Sequence, residues 1–221
     1  MPVYKSEALI LRTYKLGEAD RIVVFLTRDR GKKRGVAKGA RRPRSPFTGG
    51  LEPMTRAGVQ YYEREQRDLV RINFIEPVSR PMAAALSGTH SDIALGHIGY
   101  FAELIDEWAP EAHADERLYR LGASMLDALS TGAPVEPLAR YFEYWLLRLQ
   151  GVYPEAQGTL SDAAMLFLAG SRTVSPRDVA SVPADARVLR ELENVHRTLI
   201  TMHLEKTLKS DRVLRDLRRH A

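Results

Sequence analysis

The apolar residues of this 221-residue chain change their spacing at Pro81, from a period of about 2 before it to about 3.6 after it. No single type of element satisfies both patterns, so the chain must build a strand layer first and a helical layer second. Ala8 to Tyr14, Arg21 to Thr27, Lys32 to Lys38, Ala57 to Glu65 and Leu69 to Ile75 read as five short strands, separated by turn signals such as Leu16-Gly17-Glu18 and Arg28 to Gly31. In the last of them Ile72 and Phe74 alternate with Arg71 and Asn73, which predicts Ile72 and Phe74 on one face.

Beyond Pro81 the stripes follow i, i+3/i+4, i+7. They run through Ile98, Phe101, Ile105 and Trp108, then Leu118, Leu121, Met125 and Leu129, then Leu138, Phe142, Trp145 and Leu149, and last Val188, Leu192, Val195, Leu199 and Met202. Gly132 and Gly151 close two of them, and Pro110 follows another. The expected fold class is α+β in two domains. Residues 1–80 form a small five-stranded antiparallel barrel, for which the OB type is one solution. Residues 81–221 form an all-α domain, with an irregular stretch at 151–183.

Charge is as uneven as periodicity. Residues 28–44 hold nine cations against one anion, Asp29, a net +8, whereas the whole chain is +5. The cations are Arg28, Arg30, Lys32, Lys33, Arg34, Lys38, Arg41, Arg42 and Arg44, interleaved with Gly31, Gly35 and Gly39. Such a segment neutralises phosphates and releases counterions. Glycines let backbone approach an anion or turn with positive φ. Arg30, Lys32, Lys33, Arg34, Lys38, Arg41, Arg42 and Arg44 are therefore the candidate nucleic-acid contacts, with Tyr14, Tyr61, Tyr62 and Phe74 as aromatics able to stack on bases. The bland reading is a solvated basic loop.

Other chemistry finds little support. The chain has neither a G-x-x-x-x-G-K-[ST] loop nor a G-x-G-x-x-G motif. It has no cysteine, which excludes a disulfide framework and a thiolate zinc site. His196 and His203 lie about 10 Å apart along a helix, too far to share a metal. Neither a catalytic residue, a metal nor a cofactor is expected. The N-terminus lacks the apolar core of a signal peptide, and no run is long enough to span a bilayer, so the expected compartment is intracellular and no membrane partner is expected. In the second half Arg140 opens the apolar run Tyr141 to Leu147 and could capture an acidic, apolar-ended peptide; the competing reading is a surface arginine paired with Glu136 or Glu143. The cations Lys206, Lys209, Arg212, Arg215, Arg218 and Arg219 read either as a second phosphate contact or, the favoured reading, as positive charge at a helix C-terminus.

Gly17-Glu18-Ala19-Asp20-Arg21, Thr27 to Gly31, Gly35-Val36-Ala37-Lys38-Gly39-Ala40-Arg41 and Leu51-Glu52-Pro53 resemble the most recognisable stretch of the bacterial recombination and repair family RecO. Ala139-Arg140-Tyr141-Phe142-Glu143 and Gly151-Val152-Tyr153-Pro154 are similar to its central helix and exit. The resemblance implies an N-terminal OB-fold, a helical C-terminal domain and no hydrolase-type activity. It also implies a cytoplasmic, nucleoid-associated mediator that binds single- and double-stranded DNA and anneals complementary strands. The implied partners are RecR and the tail of single-strand-binding protein, with RecF and RecA beyond them. Many members carry a four-cysteine zinc module after the Gly-x-x-Pro exit; residues 155–180 here have no cysteine, so that metal is not carried over, and either Met165 to Leu168 pack in its place or the module is reduced. An RNA-binding OB module and a protein-interaction adaptor are the alternatives.

Overall fold

Alternation along the first strands decides the architecture. In β4 (Arg56–Tyr62) every second residue, Ala57, Val59 and Tyr61, is buried, so the strand presents one face to a core and the other to solvent. β1 (Val3–Leu16), β2 (Asp20–Thr27), β3 (Gly31–Ala37) and β5 (Val70–Ser79) complete a closed barrel in the order β1-β2-β3-β5-β4. All neighbours are antiparallel except β3 and β5, which pair in parallel. This computed structural model describes residues 2–63, 68–81, 91–154 and 160–220. The barrel is of the OB type, and the chain is α+β, as expected.

The barrel core is filled by residues such as Ala8, Ile10, Val23, Phe25, Val59, Tyr61, Ile72 and Ile75. β1 is twice the expected length because it serves two neighbours, residues 3–9 pairing with β4 and residues 8–16 with β2. Its first half, Val3-Tyr-Lys-Ser-Glu, is too polar to stand out as a strand. A register slip between Ile10 and Arg12 bends it between the two partners.

A second apolar surface lies outside this barrel. Leu9, Leu26 and Lys32 form a row across β1, β2 and β3, and all three are buried. They are covered by α1 (Ser91–Trp108) and the start of α2 (Glu116–Ser130). Gly122 is packed so closely that a Cβ there would come within 2.7 Å of a Leu9 methyl and 2.9 Å of an Ile105 methyl. The compact unit that holds the barrel accordingly extends to Ala123, and a second unit runs from Ser124 to Ala221.

The second unit contains α3 (Val135–Leu149), α4 (Asp162–Ser171), a 3₁₀ turn (Pro176–Ser181), α5 (Ala186–Leu204) and α6 (Lys209–His220). Asp185 caps α5 by accepting from the Val188 N–H at 2.8 Å, and Ser161 accepts from Ala164 at 3.3 Å at the start of α4. Leu138, Phe142, Leu192 and Ile200 are core residues, whereas Met202, predicted in the α5 stripe, is 70% exposed. Of the Met165–Leu168 stretch, Phe167 and Leu168 pack inward and Met165 and Leu166 are exposed. Among the described residues no helix is long and apolar enough to cross a membrane.

Candidate nucleic-acid interface

The basic segment divides at the end of β3. Its first half forms the β2–β3 hairpin, and there each cation has an acidic neighbour. Arg28 pairs with Glu116 at 3.1 Å and lies 3.7 Å from Glu7. The guanidinium of Arg28 is held above its usual pKa, first by its hydrogen bond to Glu116. Arg30 lies 3.6 Å from Asp29 and stacks 4.1 Å over the Tyr4 ring. Lys33 reaches Glu63 at 2.7 Å, and Arg34 reaches Glu111 at 3.1 Å.

Lys32 corrects the sequence reading outright. Its ammonium is buried, donates to the Asp106 carbonyl at 2.6 Å and sits 3.4 Å from the Asp106 carboxylate and 3.6 Å from Glu111. Arg12 approaches the other oxygen of Asp106 at 3.5 Å. Lys32 thus fixes α1 to the outside of the barrel and is not available to a phosphate. Two glycines of this half also serve packing. A Cβ on Gly31 would fall 2.3 Å from the His113 carbonyl oxygen, and one on Gly35 would fall 2.7 Å from Ile72.

The second half differs in every respect. Lys38, Arg41, Arg42 and Arg44 are exposed, and none makes an ion pair among the described residues. They sit on turns held by the backbone. The Gly39 N–H donates to the Asp20 carboxylate at 2.8 Å, Arg41 N–H to the Ala19 carbonyl at 2.9 Å, and the Arg41 side chain to the Gly17 carbonyl at 3.1 Å. The Gly17-Glu18-Ala19-Asp20 turn therefore positions the loop that carries the four cations. Gly39 takes φ +70, which lets the chain turn after Lys38. Phe47 anchors the far side of the loop in the barrel core.

Of the four aromatics, Tyr61 is a core residue whose phenol pKa is pushed up by burial, and it packs edge-on against Phe25. Tyr62 is half-buried. Tyr14 and Phe74 are exposed at 45% and 47%. Ile72 faces the barrel core, whereas Phe74, which alternation puts on the same face, points outward.

Arg140 is buried, not superficial. It pairs with Glu143 at 2.9 Å and lies 3.6 Å from Glu193. Glu143 also accepts from His196 Nδ1 at 2.9 Å, and the Tyr153 hydroxyl meets His196 Nε2 at 3.2 Å. Desolvation lowers the His196 pKa, against the opposing pull of Glu143. Arg140, Arg190, Arg218, Glu136 and Glu193 line a cavity of about 140 Å³. Among the described residues no cluster of three or more metal-ligating side chains occurs.

Comparison with known proteins agrees with this geometry. The family described as "Recombination protein O N terminal" matches residues 1–81, and "Recombination protein O C terminal" matches residues 91–160. The DNA repair protein RecO of Koribacter versatilis is 40% identical over 151 residues, covering 68% of this chain and 60% of that protein. That of Geobacter metallireducens is 36% identical over 148 residues, covering 66% and 58%. A shorter match to the RecO of Bifidobacterium adolescentis is 54% identical over 70 residues, covering 32% of this chain and 28% of that protein. The matched part spans about three-fifths of the first two relatives. With both family halves matched in order, on an OB barrel followed by helices, the chain belongs to the RecO family.

Proposed function

We propose that this chain is a non-enzymatic DNA-binding mediator of recombinational repair. It anneals complementary strands and, together with RecR, helps RecA load on DNA coated by single-strand-binding protein. The observation that carries the DNA-binding part is the loop of Lys38, Arg41, Arg42 and Arg44 beside an OB barrel, four exposed cations that make no ion pair among the described residues. The names of the relatives, DNA repair proteins, support the biological setting. Annealing needs a protein that holds strands by their phosphates without reading bases, and an exposed basic loop does that.

An annealing assay on complementary strands coated with single-strand-binding protein tests this reading. Acceleration by the wild-type chain, lost on reversing Lys38, Arg41 and Arg42 to Glu, is the expected result; no acceleration at any salt concentration rejects it. Preference for matched single-stranded RNA over DNA would favour the RNA-binding module instead.

The peptide site at Arg140 belongs to the same reading. Arg140, Arg190 and Arg218 converge on one small cavity, where Arg140 Nη1 lies 3.6 Å from Glu193 and makes no hydrogen bond among the described residues. An acidic tail such as that of single-strand-binding protein would supply one. Arg190→Glu is the informative variant, since Arg190 is exposed, whereas Arg140→Ala would leave Glu143 buried beside a cavity. Calorimetry is expected to show weaker tail binding by Arg190→Glu, and unchanged affinity would remove the site.

A further inference from the structure

Phe74 points out of the barrel although its strand's alternation would bury it. Ile72 faces the core, and a period of 2 puts Phe74 on the same side. The register slips in between: Gln60 of β4 pairs with Phe74, but Tyr61 pairs with Ile72, so Asn73 has no opposite number. This bulge turns Phe74 to solvent, 47% exposed, and returns Ile75 to the core at 2%. Bulges of this kind re-aim side chains and concentrate next to functional positions.

The re-aimed ring borders a groove of about 240 Å³ that Lys5, Gly58, Gln60 and Glu76 also line. Gly58 lies mid-strand opposite Glu7 and Glu76, and a Cβ placed on it would meet nothing within 4 Å. The space above the sheet is therefore open. Tyr62 lies two residues, or about 7 Å, beyond Gln60, the partner of Phe74 on β4, and Arg71 lies over its ring at 5.6 Å to the centroid. Two flat platforms, Phe74 and the Tyr62–Arg71 pair, stand in succession on one face, with exposed Lys5 and Arg71 beside them.

Oligonucleotides on OB barrels commonly use the face of the second and third strands. Here the middle of that face is occupied by the chain itself: Lys32 of β3 is tied to Asp106, and its neighbour Leu26 on β2 is fully buried. The outer face of β1, β4 and β5 carries the open groove.

We propose that this β1–β4–β5 face is a stacking site for unpaired bases of single-stranded DNA. One base lies on Phe74 over Gly58 and the next on the Tyr62–Arg71 pair, with Lys5 beside the backbone. Glu7 and Glu76 keep the face nearly neutral, so it contributes stacking and little salt dependence, unlike the loop of Lys38 to Arg44. Base stacking tolerates any sequence, because every base has a π-face. The site rests on the DNA-binding reading above and adds to it a preference for unpaired strands.

Titration of a fluorescent single-stranded oligonucleotide, with and without abasic positions, tests it. Phe74→Ala is expected to weaken binding at least about 5-fold with an unchanged salt slope, and Phe74→Trp to restore it. Abasic positions should weaken the wild type and leave Phe74→Ala nearly indifferent. Gly58→Val fills the groove while leaving Phe74 in place and should weaken binding as well. If the wild type binds the strand and both Phe74→Ala and Gly58→Val bind equally well, the stacking site is wrong and the DNA-binding reading stands. If the wild type binds no single strand at low salt, both fall. Self-association that Phe74→Ala abolishes while DNA binding is untouched would also overturn the site, and would make this face a protein contact.

Discussion

Arg28 to Arg34 and Lys38 to Arg44 are adjacent, equally basic in sequence and opposite in physical role. The hairpin half answers each cation with an acid, and one of them, Lys32, is a buried tether between β3 and α1. The loop half presents four cations to solvent on a backbone held by the Gly17–Asp20 turn. A run of like charges therefore does not act as one electrostatic object. Coulomb attraction to nearby acids neutralises the part of the run that lies on a packed element. The part on a turn stays free to release counterions against a polyanion.

This contrast can be broken most forcefully at its glycines. Gly31→Ala would drive a Cβ into the His113 backbone at a residue with φ +70, and is expected to cost about 3 kcal/mol or more in a denaturant melt. Lys32→Met follows, at about 3 kcal/mol, the low end for a broken buried pair, because Arg12 remains beside Asp106. Its DNA affinity and salt slope should not change; a flattened slope would return Lys32 to the interface. Gly39→Ala has the same positive φ but open space around it, the nearest atom being Arg42 Cδ at 3.6 Å, so about 1 kcal/mol is expected. Arg34→Ala removes only an exposed pair with Glu111 and should shift stability by less than about 1 kcal/mol.

Much of the fold is legible in the sequence because burial imposes periodicity. The five strands and the stripes through Phe101, Leu138 and Leu192 are local signals, and the structure places them as expected. What escapes is set by distant partners. Asp106 lies 74 residues from Lys32, and no spacing rule connects them. The outward turn of Phe74 depends on a register slip against β4, which a period-2 reading of β5 alone cannot contain. Arg140 shows the intermediate case. Its neighbour Glu143 is visible at helical spacing, but Glu193 and the burial of the pair come from α5 packing against α3.

The most direct test of this division is the salt dependence of single-stranded DNA binding in matched variants. Four phosphates neutralised by the loop give log K against log[salt] a slope near −2.8 (about −0.7 per contact) for the wild type. Reversing Lys38, Arg41 and Arg42 should flatten it to about −0.7 or less, a loss of about 100-fold in affinity at 0.1 M salt. Removing Lys33 and Arg34 together should leave it unchanged. A hairpin variant that flattens the slope as much as the loop variant, or a loop variant that leaves it intact, would contradict the account.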